Sequence, residues 1–180
     1  MRRIWLLVGP SGSGKTTVGQ WMNTQGIKEL VSHTTREPRP GEVPGVTYYY
    51  CSKGEFDVVE KIEETVYAGN YYCLSKKEVE DKLSGNQDVF TVVDCNGAEQ
   101  IKEKYPEETR VIFVFAPKHL LIQRMQARGD KMEAIVSRIE NITKTNEINK
   151  GLALADYCIV NRNSKVDTLR QLKGILHYCN

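Results

Sequence analysis

No apolar stretch in the 180-residue sequence is long enough to cross a bilayer. The apolar run Ile4-Trp5-Leu6-Leu7-Val8 follows two arginines, but it is too short for a secretory h-region and runs directly into glycines. A cytoplasmic protein is expected. CxxC pairs are also missing. The five cysteines, Cys51, Cys73, Cys95, Cys158 and Cys179, are odd in number, which predicts reduced thiols rather than a disulfide framework. The three histidines, His33, His119 and His177, are scattered without metal-ligand spacing, so no structural zinc site is expected. There is no repeat and no low-complexity segment. Nor does one sign of charge dominate: the formal net charge is +2. That balance argues against nucleic acid or a membrane as the main partner, and any phosphate recognition must come from local basic clusters.

What remains is an ordinary globular composition, 40% apolar and 27% charged, at a length that suits one α/β domain with inserted lobes. Ile4 to Val8 reads as a buried strand, followed by a loop and a helix from Lys15 towards Asn23. Asp88 to Val93, Arg110 to Phe115 and Tyr157 to Val160 are apolar, β-branched runs that fit buried parallel strands. Helices are expected over Asn96 to Lys104, after Pro117, and over Val166 to Tyr178, with one polar helix from Met132 to about Asn149. Strands alternating with helices predict a parallel sheet covered on both faces. The segment from about Ser32 to Leu83 breaks this rhythm and reads as an inserted lobe. Within it, Val46 to Cys51 reads as a strand, Lys53 to Lys61 as a helix, and Val66 to Cys73 as a strand turned at Gly69-Asn70. Ser75 to Leu83 reads as a helix capped by Ser75, with Glu78 placed to complete a capping box.

Gly9-Pro10-Ser11-Gly12-Ser13-Gly14-Lys15-Thr16 fits GxxxxGK(S/T) in full, between a predicted strand and a predicted helix. Glycines let the backbone turn successive N–H groups inward as an anion nest, and the following helix adds its positive end. Lys15 supplies a charge for the β- and γ-phosphates of a triphosphate, and the Thr16 hydroxyl can ligate Mg²⁺. The motif does not name the acceptor.

Arg36 and Arg39 lie three apart in a proline-stiffened stretch, with Tyr48 downstream. Two guanidinium forks and a hydroxyl can hold a phosphate dianion, although a solvated basic loop has the same composition. The stretch Ser32 to Tyr48 resembles the signature of the guanylate kinase family, S-x-T-T-R-x-P-R-x-G-E-x-x-G-x-x-Y. The resemblance extends over nearly the whole chain, through Glu63, Gly69-Asn70-Tyr71-Tyr72, the Asp94 region and a segment bearing Arg124, Arg128 and Arg138.

The resemblance implies a P-loop three-layer α/β/α fold with a central parallel sheet, a nucleoside-monophosphate-binding lobe and a small helical lid. It implies one domain: a core of about 1–31, 84–123 and 151–180, an acceptor lobe of about 32–83 and a lid of about 124–150. It implies ATP at Gly9, Pro10, Ser11, Gly12, Ser13, Gly14, Lys15, Thr16 and Thr17, with Arg124 and Asn161 beside it and Mg²⁺ on Thr16. GMP falls to Ser32, Arg36, Arg39, Tyr48, Glu63, Tyr72 and Asp94, and transfer to Lys15, Arg36, Arg128 and Arg138. Arg124 and Arg128, four apart, share a helix face on this reading, where like charges repel unless an anion lies between them. Two positions depart from the pattern. Cys73-Leu74 stands where a glycine and a hydroxyl residue are usual, with Ser75 a possible substitute, and Val92 stands where an acid is common. The expected activity is ATP-dependent phosphorylation of GMP, and of dGMP, by a monomer or homodimer. Two alternatives are a relative acting on another phosphorylated acceptor and a non-catalytic interaction domain.

Overall fold

Strand β1 (Ile4–Val8) leads through the glycine loop into helix α1 (Lys15–Thr24) and the short strand β2 (Lys28–Glu29). The computed structural model describes residues 2–39, 41–67, 69–85 and 87–178; Cys179 lies outside them. The chain then builds β3 (His33–Thr34), β4 (Tyr49–Tyr50), α2 (Lys53–Asp57), β5 (Lys61–Tyr67), β6 (Asn70–Ser75) and α3 (Lys76–Ser84). It returns through β7 (Val89–Val92), α4 (Cys95–Lys104), β8 (Thr109–Phe115), α5 (Lys118–Ala127), α6 (Met132–Lys144), α7 (Glu147–Leu154), β9 (Tyr157–Val160) and α8 (Lys165–Tyr178).

Five strands form a parallel sheet in the order β2-β7-β1-β8-β9. β1 is entirely buried, which is why it is apolar at every position. Ile4, Leu6 and Val8 face one layer with Ala98 and Ile101 of α4, while Trp5 and Leu7 face the other with Val18 and Met22 of α1 and Leu172 of α8. The result is the three-layer arrangement expected from the alternation of elements. Among the described residues no helix is long and apolar enough to cross a membrane.

Residues 33–75 supply a second sheet, ordered β4-β3-β6-β5. Here three expectations need correction. The helix read over Lys53 to Lys61 stops at Asp57, and Lys61 opens β5, whose polar residues hide a strand. The strand read over Val46 to Cys51 shrinks to Tyr49–Tyr50. Ser75 caps α3 by accepting from the Glu78 N–H, but the Glu78 carboxylate does not return to it. It accepts instead from the Val31 N–H at 2.7 Å and the Tyr49 hydroxyl at 3.1 Å, so only half of the capping box forms. The complete box is on α2, between Ser52 and Glu55.

The single polar helix read over Met132 to Asn149 is two helices. Asn146 sits in the left-handed region at φ 54, which ends one helix and starts the next. Nor is α6 polar all round: Ile135, Ile139 and Ile142 are buried against Leu121 and Met125 of α5.

Candidate active site

The site lies at the carboxyl ends of β1, β7 and β9, where the strand order reverses on either side of β1. Gly9 follows β1 with φ 143, and a β-carbon there would overlap the Val114 carbonyl oxygen; Gly14, at φ 108, would collide with the Asn161 amide. The loop thus requires glycine for its own packing as well as for approach by an anion. Lys15 donates from Nζ to the carbonyls of Gly9 and of Pro10, the latter at 3.1 Å, and so lies folded along the loop. Burial lowers its pKa to about 8, with Glu147 opposing that shift. Thr16 is exposed on the first turn of α1, and Thr17 is half-buried beside it.

Ser13 is fully buried, and its carbonyl accepts from the Asn161 amide at 2.9 Å. The Arg124 guanidinium bonds the carbonyls of Gly12 at 2.9 Å and Ser13 at 3.3 Å, and the Asn161 side-chain oxygen at 2.9 Å. Arg124 and Asn161 therefore brace the carbonyls of Gly12 and Ser13. Arg128 is the C-cap of α5, one turn beyond Arg124, whose carbonyl accepts from the Arg128 N–H at 3.2 Å. It pairs with Asp130 at 2.5 Å and reaches the Ser11 hydroxyl at 3.1 Å, while Arg138 reaches the same Asp130 at 2.6 Å. Asp130 thus holds Arg128 and Arg138 together, and the Arg128 hydrogen bond lowers its pKa, while Arg124 turns to the loop carbonyls instead. Asp130 was not picked out from sequence, although it lies directly between Arg128 and Arg138.

Just beyond β3 of the second sheet, Arg36 donates from Nη2 to both carboxylate oxygens of Glu42, at 2.8 and 2.9 Å. Its guanidinium carbon lies 5.5 Å from the Tyr48 ring centre, and the Tyr48 and Tyr72 rings meet edge-on at 5.8 Å. Glu42 also accepts from the Arg39 N–H at 2.8 Å and the Tyr50 hydroxyl at 2.7 Å, and these bonds hold its pKa at about 2. Arg39 is exposed. The sequence reading gave Glu42 and Tyr50 no role, although Glu42 stands in the quoted signature; that it pairs with Arg36 and Tyr50 is a product of the fold.

Glu63 and Asp94 converge at the N-terminus of α4. A β-carbon on Gly97 would lie 3.1 Å from a Glu63 carboxylate oxygen and 3.4 Å from one of Asp94. Asp94 caps the helix through the Gly97 N–H at 2.7 Å. Glu63 is 4% exposed, and burial, then the charge of Asp94, push its pKa up to about 7. In the sheet Glu63 lies opposite Leu74, and His33 lies opposite Cys73, so continuing that register places Ser32 on the far side of Leu74. Leu74 is fully buried and is an apolar gap between two polar groups. Ser75 is occupied as the cap of α3.

The guanylate kinase family model matches residues 1–178. The guanylate kinase of Haemophilus influenzae is 37% identical over 96% of this chain and 86% of its own length. That of Oceanobacillus iheyensis is 37% identical over 88% of this chain and 79% of its own. The crystal structure of guanylate kinase from Anaplasma phagocytophilum superposes with a TM-score of 0.74 at 27% identity, covering 98% of this chain and 85% of the other. A match of this extent, over the whole described chain and on the same fold, means that the chain belongs to the guanylate kinase family.

Proposed function

We propose that this protein transfers the γ-phosphoryl group of ATP to the phosphate of GMP, and of dGMP, giving ADP and the nucleoside diphosphate. The observation that carries the acceptor assignment is the pairing of a buried carboxylate, Glu63, with the exposed carboxylate of Asp94 at the N-terminus of α4. Guanine presents N1–H and N2–H₂ as adjacent donors, and a carboxylate is the acceptor that matches them. Arg36, Arg39, Tyr48 and Tyr72 hold the GMP phosphate, and Ser32 adds a hydroxyl at the base. Tyr48 stays protonated, since burial raises its pKa, and so remains a donor.

The acceptor phosphate oxygen attacks the γ-phosphorus in line, and the bond to the β,γ-bridging oxygen breaks. The attacking oxygen is already ionised, so no strong base is needed; catalysis is positioning and charge neutralisation. Lys15, Arg36, Arg128 and Arg138 supply the positive charge. Arg124 and Asn161 act on ATP through the loop they brace. Among the described residues no group of three or more His, Cys, Asp or Glu side chains is placed to hold a metal ion. That suits Mg²⁺, which takes few protein ligands when substrate phosphates complete its shell. The exposed Thr16 hydroxyl would hold it, and it would neutralise charge on the β- and γ-oxygens. Residues 32–83 form the acceptor lobe and 124–150 the lid, and closure of both excludes water. The free thiols Cys51, Cys73, Cys95 and Cys158 fit a cytoplasmic enzyme, acting as a monomer or homodimer.

Leu74 favours a second reading, a related enzyme with a different phosphorylated acceptor. ATP consumption with a panel of nucleoside and sugar monophosphates separates the two. Turnover with GMP and dGMP, lost in Lys15→Ala, is the expected result. Turnover with another acceptor in preference to these would overturn the assignment.

A further inference from the structure

We infer that Thr65 supplies a hydroxyl for guanine recognition in the pocket where position 74 has none, and that it reads the exocyclic 2-amino group. The inference rests on the base-pocket reading above. Thr65 lies two residues beyond Glu63 on β5, past the irregularity between Lys61 and Glu63, so the two side chains share a face. It lies opposite Tyr72, one of the phosphate-site rings, as Glu63 lies opposite Leu74. Thr65 therefore stands between the carboxylates and the phosphate site, on the side of the pocket nearer the phosphate.

The hydrogen bonds then select the contact. The Thr65 hydroxyl is directed to Asp94 Oδ2 at 3.3 Å, and Asp94 Oδ1 accepts from the Gly97 N–H. A carboxylate can only accept, so the single Thr65 proton is given to Asp94. The hydroxyl oxygen is left with lone pairs and no proton for a base oxygen. Its partner on a purine must be a donor. Guanine offers N1–H and two N2–H protons, one more than the two oxygens of Glu63 accept in a forked pair. The remaining N2–H matches the Thr65 oxygen. Thr65 is half-buried, so a ligand can reach it.

The test uses inosine monophosphate, which lacks only the 2-amino group. The values of kcat and KM are measured for GMP and for inosine monophosphate in the wild-type protein, Thr65→Val, Thr65→Ser and Glu63→Gln. Valine keeps the branched shape that suits the strand, and serine keeps the hydroxyl. In Thr65→Val the KM for GMP is expected to rise about tenfold, as for one lost hydrogen bond. Its kcat, its KM for ATP and its KM for inosine monophosphate stay within about twofold of wild type, and Thr65→Ser restores the KM for GMP. An unchanged KM for GMP in Thr65→Val, or an equal rise for both acceptors, would overturn the inference. If Glu63→Gln also leaves the preference for GMP intact, the base-pocket reading itself fails; if Glu63→Gln abolishes it, only the role of Thr65 does.

Discussion

Glu63 combines a structural cost with the binding role proposed for it, and the two have opposite pH dependences. Its pKa near 7 in the folded chain lies above the ordinary glutamate value of 4.5, so the proton binds the folded state more tightly than the unfolded one. The nucleotide-free protein therefore loses stability as pH rises from about 4.5 to about 7, by a few kcal/mol at most at about 1.4 kcal/mol per unit. Glu63→Gln is expected to raise the melting temperature at pH 8 and to leave it unchanged at pH 4. Binding has the opposite sign, because the guanine donors need the ionised carboxylate. Guanosine isolates this effect, since it carries no phosphate of its own to titrate. Its inhibition constant is expected to be flat above about pH 8 and to rise about tenfold per unit below pH 7, a slope that Glu63→Gln removes. A flat profile for wild type would show that Glu63 does not face the base.

At the level of elements, the junction of α6 and α7 turns on one residue. Asn146 holds φ 54, a conformation that asparagine tolerates and β-branched residues resist. Asn146→Gly is expected to match wild type to within about 0.5 kcal/mol in chemical denaturation, whereas Asn146→Val costs about 1–2 kcal/mol. Equal stability of the two variants would mean that the junction relaxes to another conformation. The same position shows why the sequence reading ran α6 and α7 together: nothing in Thr145-Asn146 is a strong breaker, and the left-handed turn is favoured by packing on both sides. The core strands were legible because strands buried on both faces leave an uninterrupted apolar run. The phosphate loop was legible because its glycines are needed at set spacings. β5 was not, because Lys61, Glu63 and Glu64 present function and solvent where a strand would show alternation. Its edge is satisfied by Gln100 of α4, whose side chain bonds the N–H of Glu64 at 3.1 Å and its carbonyl at 3.3 Å, a contact no local pattern announces. The arginines stood out in the sequence as candidate phosphate ligands, but their pairing with Glu42 and Asp130 emerges only when the chain is folded.

Those two carboxylates connect the whole molecule to its chemistry. With a formal net charge of +2, the chain has no strong global field, and the charge proposed to bind phosphate lies in two clusters, Arg36 with Glu42 and Arg128 and Arg138 with Asp130. In each cluster a carboxylate holds the arginines at rest: Glu42 pairs with Arg36, and Asp130 with both Arg128 and Arg138. On the proposed function, one nucleotide supplies anions to one side only. The phosphoryl group in transit is the anion that both clusters can share, so closure is favoured when both sites are filled. Amide hydrogen exchange tests this at peptide level. Residues 128–138 are expected to gain modest protection with a non-hydrolysable ATP analogue or with GMP alone, and more than the sum of the two when both are bound. Full protection by the ATP analogue alone would mean that the lid responds to ATP without the acceptor. In Asp130→Asn the lid arginines lose their resting partner, and that single-nucleotide protection is expected to rise towards the level of the doubly bound wild type. A variant that still needs both nucleotides would assign the coupling to the second sheet instead of to the Asp130 clamp.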